Sequence, residues 1–296
     1  MLNGFAGGII TVERFLARKD MWSFLGFLAL ISGTTLFVAG IDLGLLLVGV
    51  NVSLMLVIDS FSLSKENLFQ SCYPILGILS WFIANMKFYL TGFYPGAVPF
   101  WELFILLMII STRLRKLQEN DIISLVLVSF IFGSLCFSFH GFGQVLFGFG
   151  LVGLSVRIGY LEIIHRSENL VAIALSYFWL LISGLGMVLS DAIVYSYDLV
   201  IHAFFIGFLF SMIFLNAREA FLKKFGSERI AIYPSLWIVI LSVGLLVRFI
   251  GGDIMEIYHA RLIGGVVNAL TILGFILTVL IGLIKTKVRK QPDSRR

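Results

Sequence analysis

Residues Tyr197 to Asn216 read YDLVIHAFFIGFLFSMIFLN. Between Asp198 and Asn216 the only polar side chains are His202 and Ser211. A helix rises about 1.5 Å per residue, and the hydrocarbon core of a bilayer is about 30 Å thick. About 20 consecutive apolar residues therefore make one crossing, and this stretch predicts a transmembrane helix.

The same reading extends along the chain. Ten apolar stretches stand out, roughly 22–40, 43–58, 70–90, 97–112, 121–139, 142–158, 169–189, 198–215, 230–250 and 262–284. The second, the fourth and the division between the fifth and sixth carry the weakest signals. Composition agrees: 59% of the 296 residues are hydrophobic and 13% are charged, about half the charged share of a soluble domain. A water-soluble globule of this size must show a polar exterior. The fold class expected is all-α, a polytopic transmembrane bundle of about ten spans, and residues 1–296 form a single integral membrane domain. The connecting loops are too short for a separate soluble core. The 29 glycines and 29 phenylalanines suit closely packed helices with large side chains against acyl tails.

Cation placement sets the orientation. With the N-terminus in the cytoplasm, all but Lys87, Arg248 and Arg261 of the 22 lysines and arginines fall in inner segments. The positive-inside rule asks for this bias, and an odd number of spans would scramble it. The N-in/C-in arrangement follows, in the plasma membrane. It accounts for the net charge of +5 without nucleic acid. Residues 285–296 form a basic cytoplasmic tail beside the anionic inner leaflet. Glu13, Arg14, Arg18, Lys19 and Asp20 precede the first apolar run, and no small-residue cleavage pattern follows, so that span is expected to be an uncleaved anchor. Cys72 and Cys136 fall at different depths, too far apart for a disulfide.

Polar groups gather at the outer ends of the second-half spans. His140 opens the sixth span, His202 lies one turn into the eighth, and His259 stands just before the tenth. Asp191, Asp198, Arg248, Asp253, Glu256 and Arg261 lie near them, with Gln144 and Asn268 deeper and Glu102 entering the fourth span. His140 and His259 sit at loop edges, where a water-exposed histidine is the common case. His202 lies within a span, where an ionisable residue is costly and is kept for function. Asp198 and His202 share a helical face, so the carboxylate is placed to fix the imidazole tautomer. Arg248 and Arg261 suit Asp253 or Glu256, or equally the propionates of a haem. The chain has no phosphate-binding GxxxxGK[ST] loop, no HExxH, no CxxC and no CxxCH, which sets aside nucleotide hydrolysis and covalent haem.

The 197–216 stretch, together with LVRFIGGD (Leu246 to Asp253) and RLIGGVVNAL (Arg261 to Leu270), resembles a group of prokaryotic multi-span proteins. That group is distantly similar to the NnrS family, linked to nitric oxide and haem-copper metabolism, and to subunit I of haem-copper oxidases. The resemblance implies a ligand at His202 with Asp198 ahead of it. Members of the group often carry a second histidine, followed by Ala-Pro, where this chain has Asn216, Ala217 and Arg218. Positions 202 and 216 lie on one face about 21 Å apart, the spacing by which dihaem cytochromes b stack two haems. The inner ligand position is lost here.

Three functions remain open. The first is a membrane subunit of a respiratory or nitric-oxide-related redox system. It would bind haem b near the outer face through His202 and either His140 or His259, alongside respiratory-complex subunits. A copper or zinc site using His202, His140 and His259 is a variant of it. The second is a proton-coupled small-molecule transporter built on Asp198 and His202. The third is a cofactor-free anchor or assembly subunit.

Overall fold

A computed structural model describes residues 68–92, 94–117, 121–137, 142–165, 169–225 and 233–289. The two expected spans at 22–40 and 43–58, and His140, lie outside the described residues. Every regular element among the described residues is helical. Six of these helices are long and apolar enough to cross a bilayer: Gly96–Leu114, Phe142–His165, Leu170–Val188, Ser196–Arg218, Pro234–Ile254 and Tyr258–Gly282. The chain is a multi-span helical membrane protein. It divides into two compact units, Met1–His140 and Gly141–Arg296.

The first unit contains α1 (Leu68–Thr91), α2 (Tyr94–Leu117) and α3 (Ile122–Phe137). Gly92, at φ 63°, ends α1 in the left-handed conformation that glycine adopts without a Cβ penalty, and its N–H reaches the Phe88 carbonyl at 2.8 Å. The chain then doubles back. A Cβ on Gly77 would lie 3.3 Å from Leu107 Cβ, Trp81 stacks on Phe104 with centroids 5.2 Å apart, and Trp101 donates to Asn85 at 3.2 Å. These three contacts fix an antiparallel α1–α2 hairpin. Asp121 caps α3 by accepting from the Ile123 N–H at 3.2 Å and from the Ser124 hydroxyl. Tyr73 donates to the Asp121 carbonyl at 3.1 Å, so the starts of α1 and α3 lie together, as alternating spans require.

The second unit begins with α4 (Phe142–His165) and α5 (Leu170–Val188). They cross where Gly148 faces Gly184: a Cβ on either would sit 2.6 or 2.8 Å from the other's carbonyl oxygen. Only glycine lets the two backbones approach this closely. A continuous helix follows in three parts, α6 (Ser196–His202), the π-helix π1 (Ala203–Phe210) and α7 (Ser211–Phe225). A second continuous helix joins α8 (Pro234–Leu246) to the π-helix π2 (Val247–Ile254), and α9 (Tyr258–Arg289) returns beside it. Three elements meet where Trp179, Ala203 and Leu245 form a buried cluster. There the Trp179 indole donates to Ser242 at 2.9 Å. Helix α9 runs through Lys285 and Lys287 to Arg289, so the beginning of the basic tail is helical.

Candidate functional site

Three elements build one polar site in the second unit. Asp198 lies in the first turn of α6 and His202 one turn later. Arg248 is the second residue of π2, and Asp253 is near its end. Arg261 is in the first turn of α9.

The local sequence explains why α9 comes so close to π2. A Cβ on Gly251 would meet Ala260 Cβ at 2.6 Å, and one on Gly252 would meet Arg261 Cβ at 2.9 Å. The Gly251–Gly252 pair therefore leaves room for the first turn of α9. The Met255 N–H bonds to the Ile250 carbonyl at 3.0 Å, the five-residue spacing of a π-turn, and the Ile257 N–H reaches the Gly251 carbonyl at 2.8 Å. Glu256, at φ 59°, completes the reversal and is exposed.

Asp198 joins the site together. Its Oδ2 accepts from Arg248 Nη2 at 2.7 Å, and its Oδ1 lies 3.2 Å from His202 Nδ1. The same Nδ1 is closer still, 2.7 Å, to the Asp198 backbone carbonyl. Both neighbours are acceptors, so Nδ1 carries the hydrogen and Nε2 is left as the basic nitrogen. Arg248 Nη1 donates to the Arg261 carbonyl at 3.3 Å. Arg261 in turn donates from Nη2 to the Gly252 carbonyl at 2.9 Å and places Nε 3.2 Å from Asp253 Oδ1. Its guanidinium lies over the Tyr195 ring, 3.8 Å from the centroid, a cation–π contact. Two carboxylates face two guanidiniums, so the network is formally balanced when His202 is neutral. Burial deepens from Asp198, whose side chain is 33% exposed, to Asp253 at 2%.

The structure thus brings together Asp198, His202, Arg248 and Arg261 among the expected site residues. Sequence reasoning placed Asp253 nearby as an arginine partner, and it is one for Arg261. It missed Tyr195, the Gly252 carbonyl, and Arg248 spanning from π2 to Asp198. His259 stands apart: it is exposed, its ring lies 5.9 Å from that of Tyr258, and it does not line the cavity beside His202.

That cavity measures about 10 Å³ and lies among Trp179, His202, Ala203, Arg248, Phe249 and Asp253. It has room for about one water molecule, whereas a cofactor pocket needs about 300 Å³ or more. Among the described residues no group of three or more His, Cys, Asp or Glu is placed to hold a metal ion. His202 is the one imidazole in the cluster, and its Nδ1 is engaged by Asp198. Among the described residues, no second imidazole stands opposite His202 to complete an axial pair for a haem. What the cluster can do is exchange hydrogen-bond partners: Asp198 holds His202 with one oxygen and Arg248 with the other.

No curated protein and no solved structure matches the chain. One protein-family model matches residues 1–283, nearly the whole length and both compact units. The chain therefore belongs to the family described as a domain of unknown function, DUF8744.

Proposed function

We propose that this protein is a proton-coupled carrier of a small solute, with Asp198, His202 and Arg248 as the coupling site. The observation that carries the reading is the shared carboxylate of Asp198, held between an imidazole on its own helix and a guanidinium on the next. Ionisable residues within spans are expensive and mark ion or substrate pathways. A proton added at His202 Nε2 makes the ring a cation, which competes with Arg248 for Asp198. Protonation thereby loosens the tie between α6 and π2. Both helices pass through π-helical stretches next to these residues, and such irregularities are frequent at functional sites.

The test is solute-driven proton movement in vesicles that contain the purified full-length protein and a trapped pH dye. Organic acids, amines, amino acids and sugars are added outside in turn. At least one class should change the internal pH with the wild type, and the change should be lost in His202→Gln and in Asp198→Asn. A silent wild type across all four classes, or an undiminished signal in His202→Gln, overturns the reading. A reduced-minus-oxidised spectrum of haem-replete protein separates it from the redox subunit that the NnrS resemblance implies. A Soret band that disappears in His202→Ala would put haem b, and respiratory partners, in place of proton coupling.

The finer topology belongs to the same proposal: ten spans, both ends in the cytoplasm, in the plasma membrane. The eight described helical rods overlap the last eight expected spans, and six of them are long and apolar enough to cross a bilayer. The bias of lysine and arginine toward one side supports an even count.

A further inference from the structure

The first unit contains an ionisable group that the Asp198 network does not use. Glu102 lies two turns into α2, within the candidate span Gly96–Leu114. It is 0% exposed, and neither carboxyl oxygen meets a hydrogen-bond donor among the described residues. Its neighbours one turn away on the same helix are apolar, with Val98 and Leu106 both buried.

Among the described residues, the charged groups on the helices that meet α2, and the Tyr73 hydroxyl, are engaged elsewhere. On α1, Lys87 places its ammonium 5.6 Å from the Phe100 ring centroid, and Tyr73 donates to Asp121. Asp121 itself is turned to the cap of α3. Arg113 is eleven residues along α2, about 16 Å away by helical rise. A carboxylate taken out of water with neither a counter-ion nor a donor is strongly disfavoured, and such a group gives up its charge instead. A neutral acid has no such difficulty.

We propose that Glu102 is an intramembrane proton-binding carboxyl, carrying an exchangeable proton in the resting protein. It lies in a different compact unit from Asp198 and rests on a different observation, so either proposal can fail alone.

Infrared spectroscopy of the full-length protein in lipid reads this directly. The wild type should show the carbonyl stretch of a carboxylic acid, shifted in D₂O as the proton exchanges, and Glu102→Gln should lose it. No acid carbonyl band overturns the proposal, and so does a band that persists in Glu102→Gln or never shifts in D₂O. If Glu102→Gln does not fold, dicyclohexylcarbodiimide on the wild type supplies the second measurement. The acid O–H adds across one C=N bond: the proton goes to nitrogen and the carboxyl oxygen to the central carbon. The acyl group then migrates to nitrogen as a stable N-acylurea, with no leaving group and no oxidant. Mass spectrometry should find that adduct on the peptide containing Glu102, and a cationic water-soluble carbodiimide should leave the peptide unmodified. Equal modification by both reagents would place Glu102 in water and overturn the proposal.

Discussion

At Asp198 a single side chain holds two partners from different helices, which makes it the residue whose loss should be felt most. Asp198→Asn keeps the shape but removes the charge, and leaves Arg248 facing an amide. The expected cost is about 1–3 kcal/mol, between a lost charged hydrogen bond and a broken buried pair, read as a lower unfolding midpoint in mild detergent. Pairing it with Arg248→Met should recover part of that cost, because the uncompensated cation goes too; a double-mutant cycle measures the coupling. Arg261→Lys should cost about 1 kcal/mol through loss of the fork to Gly252 and the stacking on Tyr195. Part of this site was legible in the sequence. The four-residue spacing put Asp198 and His202 on one face, and the polar layer named both arginines. The spacing could not show that the Asp198 backbone carbonyl, at 2.7 Å, holds the imidazole more closely than the carboxylate does. Nor could it pair Arg248 with a residue fifty positions earlier, since that contact depends on how two helices lie side by side.

At the scale of the element, lipid hides what water would reveal. A helix surrounded by acyl chains is apolar all round, so periodicity cannot report which face is buried. Apolar length located the described helices, but α4 runs to His165 and α7 to Phe225, well past the expected ends at 158 and 215. The two π-helical stretches left no sequence signal, because one extra residue per turn is set by tertiary contacts and not by local preference. They matter for register. Deleting Ile250 from π2 should restore α-helical winding and turn Arg248 by about 100° relative to Asp253. The expected result is loss of any solute-driven proton signal and a destabilisation at least as large as that of Asp198→Asn. The Gly148–Gly184 crossing offers an independent check. Gly148→Ala places a methyl 2.6 Å from a carbonyl oxygen, and the overpacking should cost about 1–3 kcal/mol. At Gly133 an added Cβ would meet nothing within 4 Å among the described residues. That position should tolerate alanine, and thermal unfolding of the two variants makes the comparison.

For the molecule as a whole, apolar composition and segment length were enough to read a multi-span helical protein, because lipid imposes so few options. The partition into two compact units was not readable, since the same apolar composition runs through both. The proposed orientation has a direct test. In a background lacking Cys72 and Cys136, Asp191→Cys should react with a membrane-impermeant maleimide in intact cells, and Ser294→Cys only after lysis. The reverse pattern would invert the topology. Helix α9 carries a further implication. Its apolar part, Tyr258–Gly282, already fills a bilayer, and the helix continues to Arg289, about 10 Å more. A rod longer than the slab it crosses must overhang, and the overhang bears Lys285, Lys287 and Arg289. In the proposed orientation that charged end falls on the cytoplasmic side, where anionic lipid would oppose drawing it into the bilayer. Arg261 belongs to the same rod, so a shift of that end along the membrane normal would carry its guanidinium away from Asp253.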